Sequence, residues 1–472
     1  MYCFSTIIAI LQGAVIAMNM INIGLTGLNA NKTALDVTAH NIANVNTPGF
    51  SRQQAMMNAL AGNDILSAGS GVEIASIRRI SDQFIVKQTW AATSQQAASN
   101  ANLDNMTMLE SLLGGEGFNI SAGLDSLYSA LNDATLKPES TPNRQQIINE
   151  AKALSRRFNT LSESLHGQGK RIGDKATASI EHANSLMNNI ADINHRVVET
   201  QATGGNPSQL IDERDVLIKQ LSEVVEISST QQPDGSLQVT LASGQPLILG
   251  SDAAQLKSTP IVNEPFIKNI DIDFSGQTFA VTGELGGQLG AFDNYLKDTL
   301  KPTQQVLDEM AQNLATEFNQ VLATGFDLNG NRGQALFSFD PNSPAASLDI
   351  TAITPAELAL SSDRTPGNSD TLQALIDLST KPMAITGLGS VTLNDAFASM
   401  VGKTAIETRQ AAVDQKAAET LFSQANAARD NLSAVNSDEE AANLMTFTNA
   451  YQANMKVIST ANELFDSVLR LL

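Results

Sequence analysis

The C-terminal segment of the chain carries an apolar repeat that constrains the fold more than any other feature. Five of its apolar residues fall seven positions apart: Leu444, Tyr451, Ile458, Phe465 and Leu472. Apolar residues three or four positions after members of this series widen the same face: Phe447, Met455, Ala461, Val468 and Leu469. A repeat of seven indicates a helix that packs along another helix. At about 1.5 Å per residue this helix is roughly 50 Å long, and so long a stripe must be covered or it exposes a large apolar area.

A second apolar stripe lies near the N-terminus, and a specific turn ends it. Its members fall seven positions apart, with one further residue on the same side: Ile21, Leu28, Leu35, Ile42 and Leu25. The segment HNIANVNTPGFSRQ follows, and its residues 44–49 end the helix. Pro48 disfavours a helical conformation for the residue before it, and Gly49 permits a sharp turn.

These two stripes are the natural partners of one another within the chain. We therefore predict that the N-terminal and C-terminal helices pack side by side, with the rest of the chain inserted between them. Such a pair has little core of its own, so copies from neighbouring subunits could complete its burial. The alternative is that both helices join one closed bundle in a monomer.

The middle of the chain is mainly helical by its periodicity. Helices are predicted from Ser81 or Asp82, from Thr141 with Pro142 in the first turn, over residues 208–225, and over residues 286–322 with a kink at Pro302. Two capping boxes predict further helix starts, Thr354 with Glu357 and Ser437 with Glu440.

Residues 226–285 change to a strand pattern. Turn signals at residues 233–235, 243–244 and 275–276 separate short apolar runs, which predicts β-hairpins. The predicted fold class is mainly α with a smaller β part. It consists of a long helical bundle body, terminal helices paired in a coiled-coil-like layer, and β-hairpins inserted in the middle.

The expected domain organisation follows from these patterns. Residues 18–65 and 432–472 form a paired terminal-helix domain, residues 66–225 and 286–431 form the helical body, and residues 226–285 form a β-hairpin region within it. For residues 1–17 we expect an over-extended start or an unstructured leader, with the protein proper beginning at Met18 or Met20. A signal-like segment and an ordinary buried helix are the alternatives. A secretory signal normally has a basic start, and the first Lys or Arg here is Lys32.

Composition and motifs exclude several function classes. The net charge of −20 argues against nucleic acid or an anionic membrane as a partner, and the single Cys3 forms no internal disulfide. The four histidines, His40, His166, His182 and His195, lack zinc-site spacing. DLNGN, starting at Asp327, lacks the later acidic ligand of a calcium loop and predicts a turn. Asp212 and its charged neighbours indicate a solvated helix face. We predict no catalytic, cofactor-binding or metal site and no enzyme activity.

The terminal segments resemble a known family. LTGLNANKTALDVTAHNIANVNTPGFSRQ is similar to the N-terminal motif of bacterial flagellar rod, hook and hook-associated axial proteins, a helix followed by an ANxxTPGF-type turn. VNSDEEAANLMTFTNAYQANMKVISTANELFDSVLRLL resembles the matching C-terminal motif. SQLIDERDVLIKQLSEVVEI, GFDLNGNRGQALF and the SRQ after the turn favour the members that form the junction between hook and filament, as does the helical middle.

The resemblance implies a structural subunit that is exported by the flagellar type III apparatus and assembles through its terminal helices. The implied location is extracellular, in the flagellum. The implied partners are other copies of the chain, the hook protein, the second hook-associated protein of the junction and an export chaperone; the chaperone is expected on the C-terminal helix. A distal rod or hook subunit of the same family, or a secreted helical adhesin, is the alternative. Longer members carry an outer β domain after GFDLNGNRGQALF, and here we expect that domain to be missing or reduced.

The resemblance also implies which residues form the assembly interface. On the N-terminal helix and turn they are Ile21, Leu25, Leu28, Leu35, Ile42, Asn44, Pro48 and Gly49. On the C-terminal helix they are Leu444, Phe447, Tyr451, Met455, Ile458, Phe465, Val468 and Leu472.

Overall fold

The structure is a computed structural model that describes residues 2–62, 69–262 and 264–470, with side-chain surroundings from residue 13 onward. The helices are α1 (Tyr2–Ala43), α2 (Gln83–Leu113), α3 (Ile120–Ala134), α4 (Thr141–Ala202), α5 (Ser208–Val224), α6 (Gly287–Asn294), α7 (Lys301–Thr324), α8 (Pro344–Ser347), α9 (Asp370–Asp377), α10 (Leu393–Ser433) and α11 (Ser437–Leu469). A 3-10 turn at Glu116–Phe118 and a π-helical turn at Tyr295–Leu300 complete the helical part.

The strands form five small antiparallel sheets among the described residues. They are β1 (Gln53–Leu60), β2 (Gly71–Arg79), β3 (Ile227–Gln231), β4 (Leu237–Leu241), β5 (Pro246–Leu249), β6 (Asp252–Ala253), β7 (Gln255–Ile261), β8 (Glu264–Phe274), β9 (Gln277–Ala280), β10 (Phe337–Ser338), β11 (Asp349–Ile350), β12 (Met383–Ile385) and β13 (Gly389–Val391). The larger sheets have the orders β3-β4-β5-β6 and β7-β8-β9, and they occupy the segment where hairpins are predicted. The fold class is confirmed.

The long helix α4 runs through the whole body and contributes to both of its cores. Its 62 residues span roughly 90 Å at about 1.5 Å per residue. Apolar residues of its first half, such as Phe158, pack in a core with α3, α7 and the start of α10. Residues of its second half, such as Ile190, pack in a second core with α5 and the sheet of β3 to β6. One long helix therefore connects two apolar cores into one body.

The terminal helices α1 and α11 lie side by side and run in opposite directions. Gly13 lies against Val468, Gly24 against Ile458 and Gly27 against Asn454. No described residue of either helix belongs to the two apolar cores of the body. The predicted pairing of the chain ends is confirmed, and the pair stands apart from the body cores.

Two predicted helix starts are displaced. The α11 cap is Asn436, whose side chain accepts hydrogen bonds from the Asp438 and Glu439 amides, so the predicted box of Ser437 and Glu440 is wrong. Ser140 takes the capping position before α4, one residue before the predicted Thr141, and Pro142 lies in the first turn as expected. Asp82 caps α2 as predicted.

The helix predicted after Thr354 does not form. The Glu357 carboxylate accepts hydrogen bonds from the Thr354 amide and hydroxyl, at 2.8 and 2.7 Å, but only a turn follows. Leu358, Ala359 and Leu360 enter the core directly after this turn, because the chain is extended there. The capping hydrogen bonds therefore form as predicted. No helix follows them, because the next three residues are buried in an extended conformation.

The predicted kink at Pro302 appears as a π-helical turn just before it. Residues Tyr295–Leu300 widen the helix, and Pro302 lies in the first turn of α7. Proline has no amide hydrogen and its ring crowds the preceding turn, so the change of helical pitch falls where the sequence indicates.

Two expectations about domain boundaries stay predictions. The helix α1 begins at Tyr2, within the segment 1–17 for which we expect an over-extended start or a leader. The boundary expected after residue 65 falls between β1 and β2, which pair with each other. Both strands lie beside α1, where the Val72 amide donates to the Thr26 hydroxyl.

We expect backbone amides of α11 to exchange with solvent faster than those of α4. The buried residues of α11 are Glu440 and Ala461, whereas α4 has buried residues along most of its length, from Arg144 to Val197. Amides with few buried contacts open at low free-energy cost. Hydrogen exchange with mass spectrometry on the full chain measures both helices in one sample, so α4 is the internal control. Equal protection would instead indicate that the terminal pair is already sealed.

Candidate assembly interface

The contact between α1 and α11 is made by glycine. A Cβ built on Gly24 would lie 2.8 Å from Ile458 Cγ1, and one on Gly27 would lie 2.6 Å from Asn454 Oδ1. A side chain at either position would push Ile458 or Asn454 out of its present place, so glycine permits this close packing. The two backbones can approach closely only because α1 presents hydrogen where other residues carry a side chain.

The buried strip of α1 continues this pattern of small residues. Ala17, Ala30 and Ala34 are buried, as is Val37, and Ala461 is the buried apolar residue of α11. Burial on α1 thus falls mainly on small residues, while several larger apolar residues of both helices stay exposed. The two helices therefore cover each other along a narrow line rather than over a broad face.

Of the predicted interface residues, Ile458 and Val468 lie on the line of contact, against Gly24 and Gly13. The half-buried ones are Ile21, Leu28, Leu35, Asn44, Gly49, Phe447, Tyr451, Ile458 and Val468. The exposed ones are Leu25, Ile42, Pro48, Leu444, Met455 and Phe465. Leu472 lies outside the described residues. The helices bring both sets to the surface of one rod-like pair, while the turn residues lie at its end near the body.

Large apolar side chains remain in water on both helices. Exposed fractions are 48% for Leu25, 39% for Ile42, 40% for Leu444, 48% for Met455 and 38% for Phe465. Leu469 of the predicted face is also exposed, and further exposed apolar residues that the repeat did not single out are Met18, Ile23, Met445 and Leu464. Met445 and Leu464 each lie one position from a member of the seven-residue series, and this adjacency is the signal that could have found them.

The turn motif after α1 is held by its own asparagines. The Asn41 side chain donates to the Gln53 carbonyl at 2.9 Å and accepts from the Gln53 amide at 3.0 Å. The Asn44 side chain donates to the His40 carbonyl and accepts from the Thr47 hydroxyl. These bonds replace the backbone partners that the helix loses where it ends, so the motif fixes the path of the chain from α1 into β1.

Gly49 occupies the tightest position of this turn. Its φ is +82°, and a Cβ there would lie 2.2 Å from Val216 Cγ2 on α5. Both the backbone conformation and the close approach exclude a side chain. The glycine that the sequence marks as a helix breaker therefore also seats the turn on the body.

A buried ionic clamp joins the turn to α5. Arg79 at the end of β2 forms ion pairs with Asp212 at 2.9 Å and with Asp215 at 2.7 Å, and it donates to the Ser51 hydroxyl at 3.1 Å. The Ser51 amide donates to the Asp212 carboxylate at 3.3 Å. Asp212 is 7% exposed, so the prediction of a solvated face at this position is wrong.

The electrostatics of the clamp reflect its burial. Desolvation raises the pKa of Asp212, against the opposing effects of Arg79 and of the hydrogen bonds from Ser51. A charge pair that has been removed from water adds little net stability, but removing one partner leaves the other charge buried and unpaired. The clamp therefore defines a geometry that is costly to break.

The other side of the turn is held by α10 and α11. Arg429 donates to the Gly49 carbonyl at 2.9 Å and also reaches the Phe50 carbonyl. The Arg52 amide donates to the Ser433 carbonyl at 2.8 Å, and the Arg52 side chain pairs with Glu439. The N-terminal turn and the start of α11 thus meet at one joint. Sequence reasoning missed Arg79 and Arg429, since no local pattern marks their partners.

Membrane and metal sites were tested on the described residues as well. One helical segment, Gly13–Ala43 of α1, is long and apolar enough to cross a membrane by length and composition alone. That criterion also admits signal sequences and helices of soluble proteins, and α1 already packs along α11. In the part of the chain that the structure describes, no group of three or more His, Cys, Asp or Glu residues could hold a metal ion. The Asp327 carboxylate instead accepts the amides of Asn329 and Asn331, as in an ordinary turn.

We expect Arg79→Met to loosen the joint strongly, because it leaves Asp212 buried without a cationic partner. The protection of the Ser51 and Gln53 amides against hydrogen exchange should fall by about a hundredfold, or roughly 3 kcal/mol. Arg196→Met is the matched control, since the Arg196–Asp192 pair spans 4.0 Å on the surface and should contribute under about 1 kcal/mol. Similar effects of the two changes would contradict the clamp.

We expect Gly49→Ala to destabilise the turn by about 3 kcal/mol, through its positive φ and its overlap with Val216. Val216→Ala in the same chain should recover the steric part and leave about 1 kcal/mol. Gly204→Ala is the control, because Gly204 has a φ of +73° and no atom within 4 Å of the built Cβ. Hydrogen exchange at Ser51 and Gln53 gives the comparison. If Gly49→Ala costs no more than Gly204→Ala, the close approach to Val216 is irrelevant.

Models of three protein families match successive parts of the chain. The model described as the helical domain of flagellar hook-associated protein FlgK matches residues 106–337, which hold most of the body. Residues 21–50 match the model of the flagella basal body rod protein, and residues 430–471 match the C-terminal model of the flagellar basal body rod FlgEFG proteins. The two rod-protein models thus cover the turn with most of the described part of α1 and the whole of α11.

Relatives match over nearly the whole chain. Flagellar hook-associated protein 1 of Escherichia coli (strain K12) is 25% identical over 548 aligned residues, covering 96% of this chain and 100% of the relative. The protein of the same name from Bacillus subtilis (strain 168) is 24% identical, with 94% and 96% covered. Since the first alignment is longer than the 472 residues here, that relative contains segments that this chain lacks.

A solved structure supports the fold. The flagellar hook junction protein FlgK from Burkholderia pseudomallei superimposes with a TM-score of 0.66 at 15% identity, covering 73% of this chain and 99% of that one. The matching family models, the full-length relatives and the shared fold agree. In sequence and fold the chain is similar to flagellar hook-associated protein 1, a structural protein of the bacterial flagellum.

Proposed function

We propose that this chain is a subunit of the junction between the flagellar hook and filament, and that it assembles through α1 and α11. The observation that carries the proposal is the set of large apolar side chains that the isolated α1–α11 pair leaves in water, among them Leu25, Met455 and Phe465. Covering each of them is worth about 1 kcal/mol, and the same helices on neighbouring copies supply a surface of the same kind.

The distribution of these side chains favours neighbours on more than one side. Because the α1–α11 contact is a narrow line of glycine and alanine, apolar residues remain on both flanks of each helix. A closed monomeric bundle would place one flank in its core. A pair with two exposed flanks suits a layer in which each rod touches a rod on either side, and the body then lies outside that layer.

The proposal extends to export and to other partners. We infer that the chain leaves the cell through the flagellar type III apparatus, unfolded, and folds at the growing tip. Its neighbours are then the hook protein on one side and the second hook-associated protein of the junction on the other. Before export, a flagellar chaperone covers α11. Similarity to flagellar hook-associated protein 1 supports these steps, and the exposed apolar face of α11 offers such a chaperone a surface.

The composition of the middle segment separates this proposal from its nearest rival. A distal rod or hook subunit shares the terminal segments, and rod-protein models match both of them here. The segment between them, however, matches a hook-associated protein model and is mainly helical, built around α4. For a secreted adhesin, the turn motif and the paired chain ends have no evident use.

The test is complementation of a strain that lacks this chain, examined by electron microscopy. That strain should make hooks without filaments, and the unchanged gene should restore them. Phe465→Asp should leave hooks bare, because a charge would be desolvated between neighbouring rods. In the monomer Phe465 is already 38% exposed, so the free energy of unfolding should change by no more than about 1 kcal/mol.

Ser459→Asp is the matched control, since Ser459 is an exposed polar residue of the same helix. It introduces the same charge outside the apolar flank and should support filaments. Normal filaments with Phe465→Asp would show that this flank of α11 is not the assembly surface. Normal filaments in the strain without the chain would reject the junction role itself.

A further inference from the structure

A cavity lies where the β1–β2 hairpin meets the body. The cavity has a volume of about 530 Å³, and four elements form its walls: the end of β2, the start of α2, the start of α5 and β3. It is adjacent to the clamp, because Arg79 and Asp215 belong to its lining. The proposed function makes no use of this cavity.

The lining is basic in a chain of net charge −20. Arg78 and Lys87 are exposed and lie at its rim, and Arg214 is 2% exposed and lies at its floor. Among the described residues, none of these three cations has a carboxylate within ion-pair distance. The two acidic residues nearby, Asp212 and Asp215, are both engaged by Arg79. The lining therefore carries four cationic side chains against one carboxylate, that of Asp215, which pairs with Arg79 and also acts on Arg214.

Buried donors without partners also line the cavity. Nη1 of Arg214 donates to Asn194 Oδ1 at 3.0 Å and to the Gly235 carbonyl at 2.9 Å, which fixes the guanidinium. Its Nε has no hydrogen-bond partner in the described structure, and neither has the hydroxyl of Ser229, which is 6% exposed. A buried donor that is left unpaired costs roughly 1–3 kcal/mol, so the protein alone does not fully satisfy the arginine beside the cavity.

Two helix starts border the cavity. Ser81 and Gln83 flank the first turn of α2, and Asn206, Pro207 and Ser208 form the start of α5; all of them line the cavity. The Asp82 carboxylate caps α2, and the Asn206 side chain accepts a hydrogen bond from the Ser208 amide at 3.0 Å. The positive potential of the cavity therefore comes from its arginine and lysine side chains and not from the helix N-termini.

We propose that this cavity is an anion-binding site that takes an oxyanion, a phosphate or a carboxylate group, between Arg78, Lys87 and Arg214. A bound oxyanion accepts hydrogen bonds from the β1–β2 hairpin and from α5, which meet at the cavity. It thereby connects the hairpin and the α1–α11 pair to the body beside the clamp. The source is either a free inorganic anion or an acidic side chain from a neighbouring protein, and both present the same chemistry to the site.

Trp90 makes the proposal measurable, because it lines the cavity and is the single tryptophan of the chain. The purified full chain is titrated with sodium phosphate and, separately, with sodium glutarate, with ionic strength held constant by sodium chloride. At least one anion should change the Trp90 fluorescence saturably. Saturation by phosphate alone identifies a phosphate ligand, and saturation by glutarate identifies a carboxylate such as an acidic side chain.

The double variant Arg78→Gln/Lys87→Gln should weaken this binding by at least about tenfold, since two charge-assisted contacts are lost. Both residues are exposed, so folding should be unaffected, which thermal unfolding checks. Lys152→Gln is the matched control, because Lys152 is an exposed lysine of α4 outside the cavity. The proposal is overturned if neither anion alters the fluorescence, or if the double variant and the control bind equally.

Discussion

The close approach of α1 and α11 is the contact on which the arrangement of the chain ends depends. Glycines at positions 24 and 27 let the helix backbones come together, and alanines fill the rest of the line. Two consequences follow from the same geometry. The pair forms within one chain despite having no share in the body cores, and its larger apolar residues are displaced to the flanks. A seam of leucines would have held the helices further apart and covered those residues.

The joint between this pair and the body uses a different kind of interaction. Its central contacts are polar: Asp212 is buried, Arg79 is half-buried, and Arg429 donates to two carbonyls of the turn. A buried ion pair fixes the relative position of the two elements that it joins more reliably than it adds net stability, because desolvation offsets much of its attraction. The apolar cores stabilise the body, and the clamp together with Gly49 sets the direction in which the terminal rod leaves it. Separate residues therefore control stability and orientation.

Much of the fold could be predicted from the sequence, because the spacing of the apolar residues indicates where helices and hairpins form. The repeat of seven predicted both terminal helices and their pairing, and the change of period after residue 225 predicted the hairpins. The glycines of the seam could not be found in this way, since an apolar pattern gives weight to leucine and none to glycine. The clamp was also hidden, because Ser51 and Asp212 are 161 residues apart. Asp212 has the same local pattern as a solvated acid, and only the tertiary fold buries it.

The failed capping box and the missed seam have a common physical origin. At Thr354 the local hydrogen bonds form, yet the following leucines are needed in the core and the helix stops. On α1 the heptad residues form a stripe, yet the partner helix sits beside it on the smaller residues. In both places local preference is satisfied only as far as packing permits. On the proposed function, the leftover stripe is then the part of the pattern that a second molecule completes, which is why a single chain leaves it uncovered.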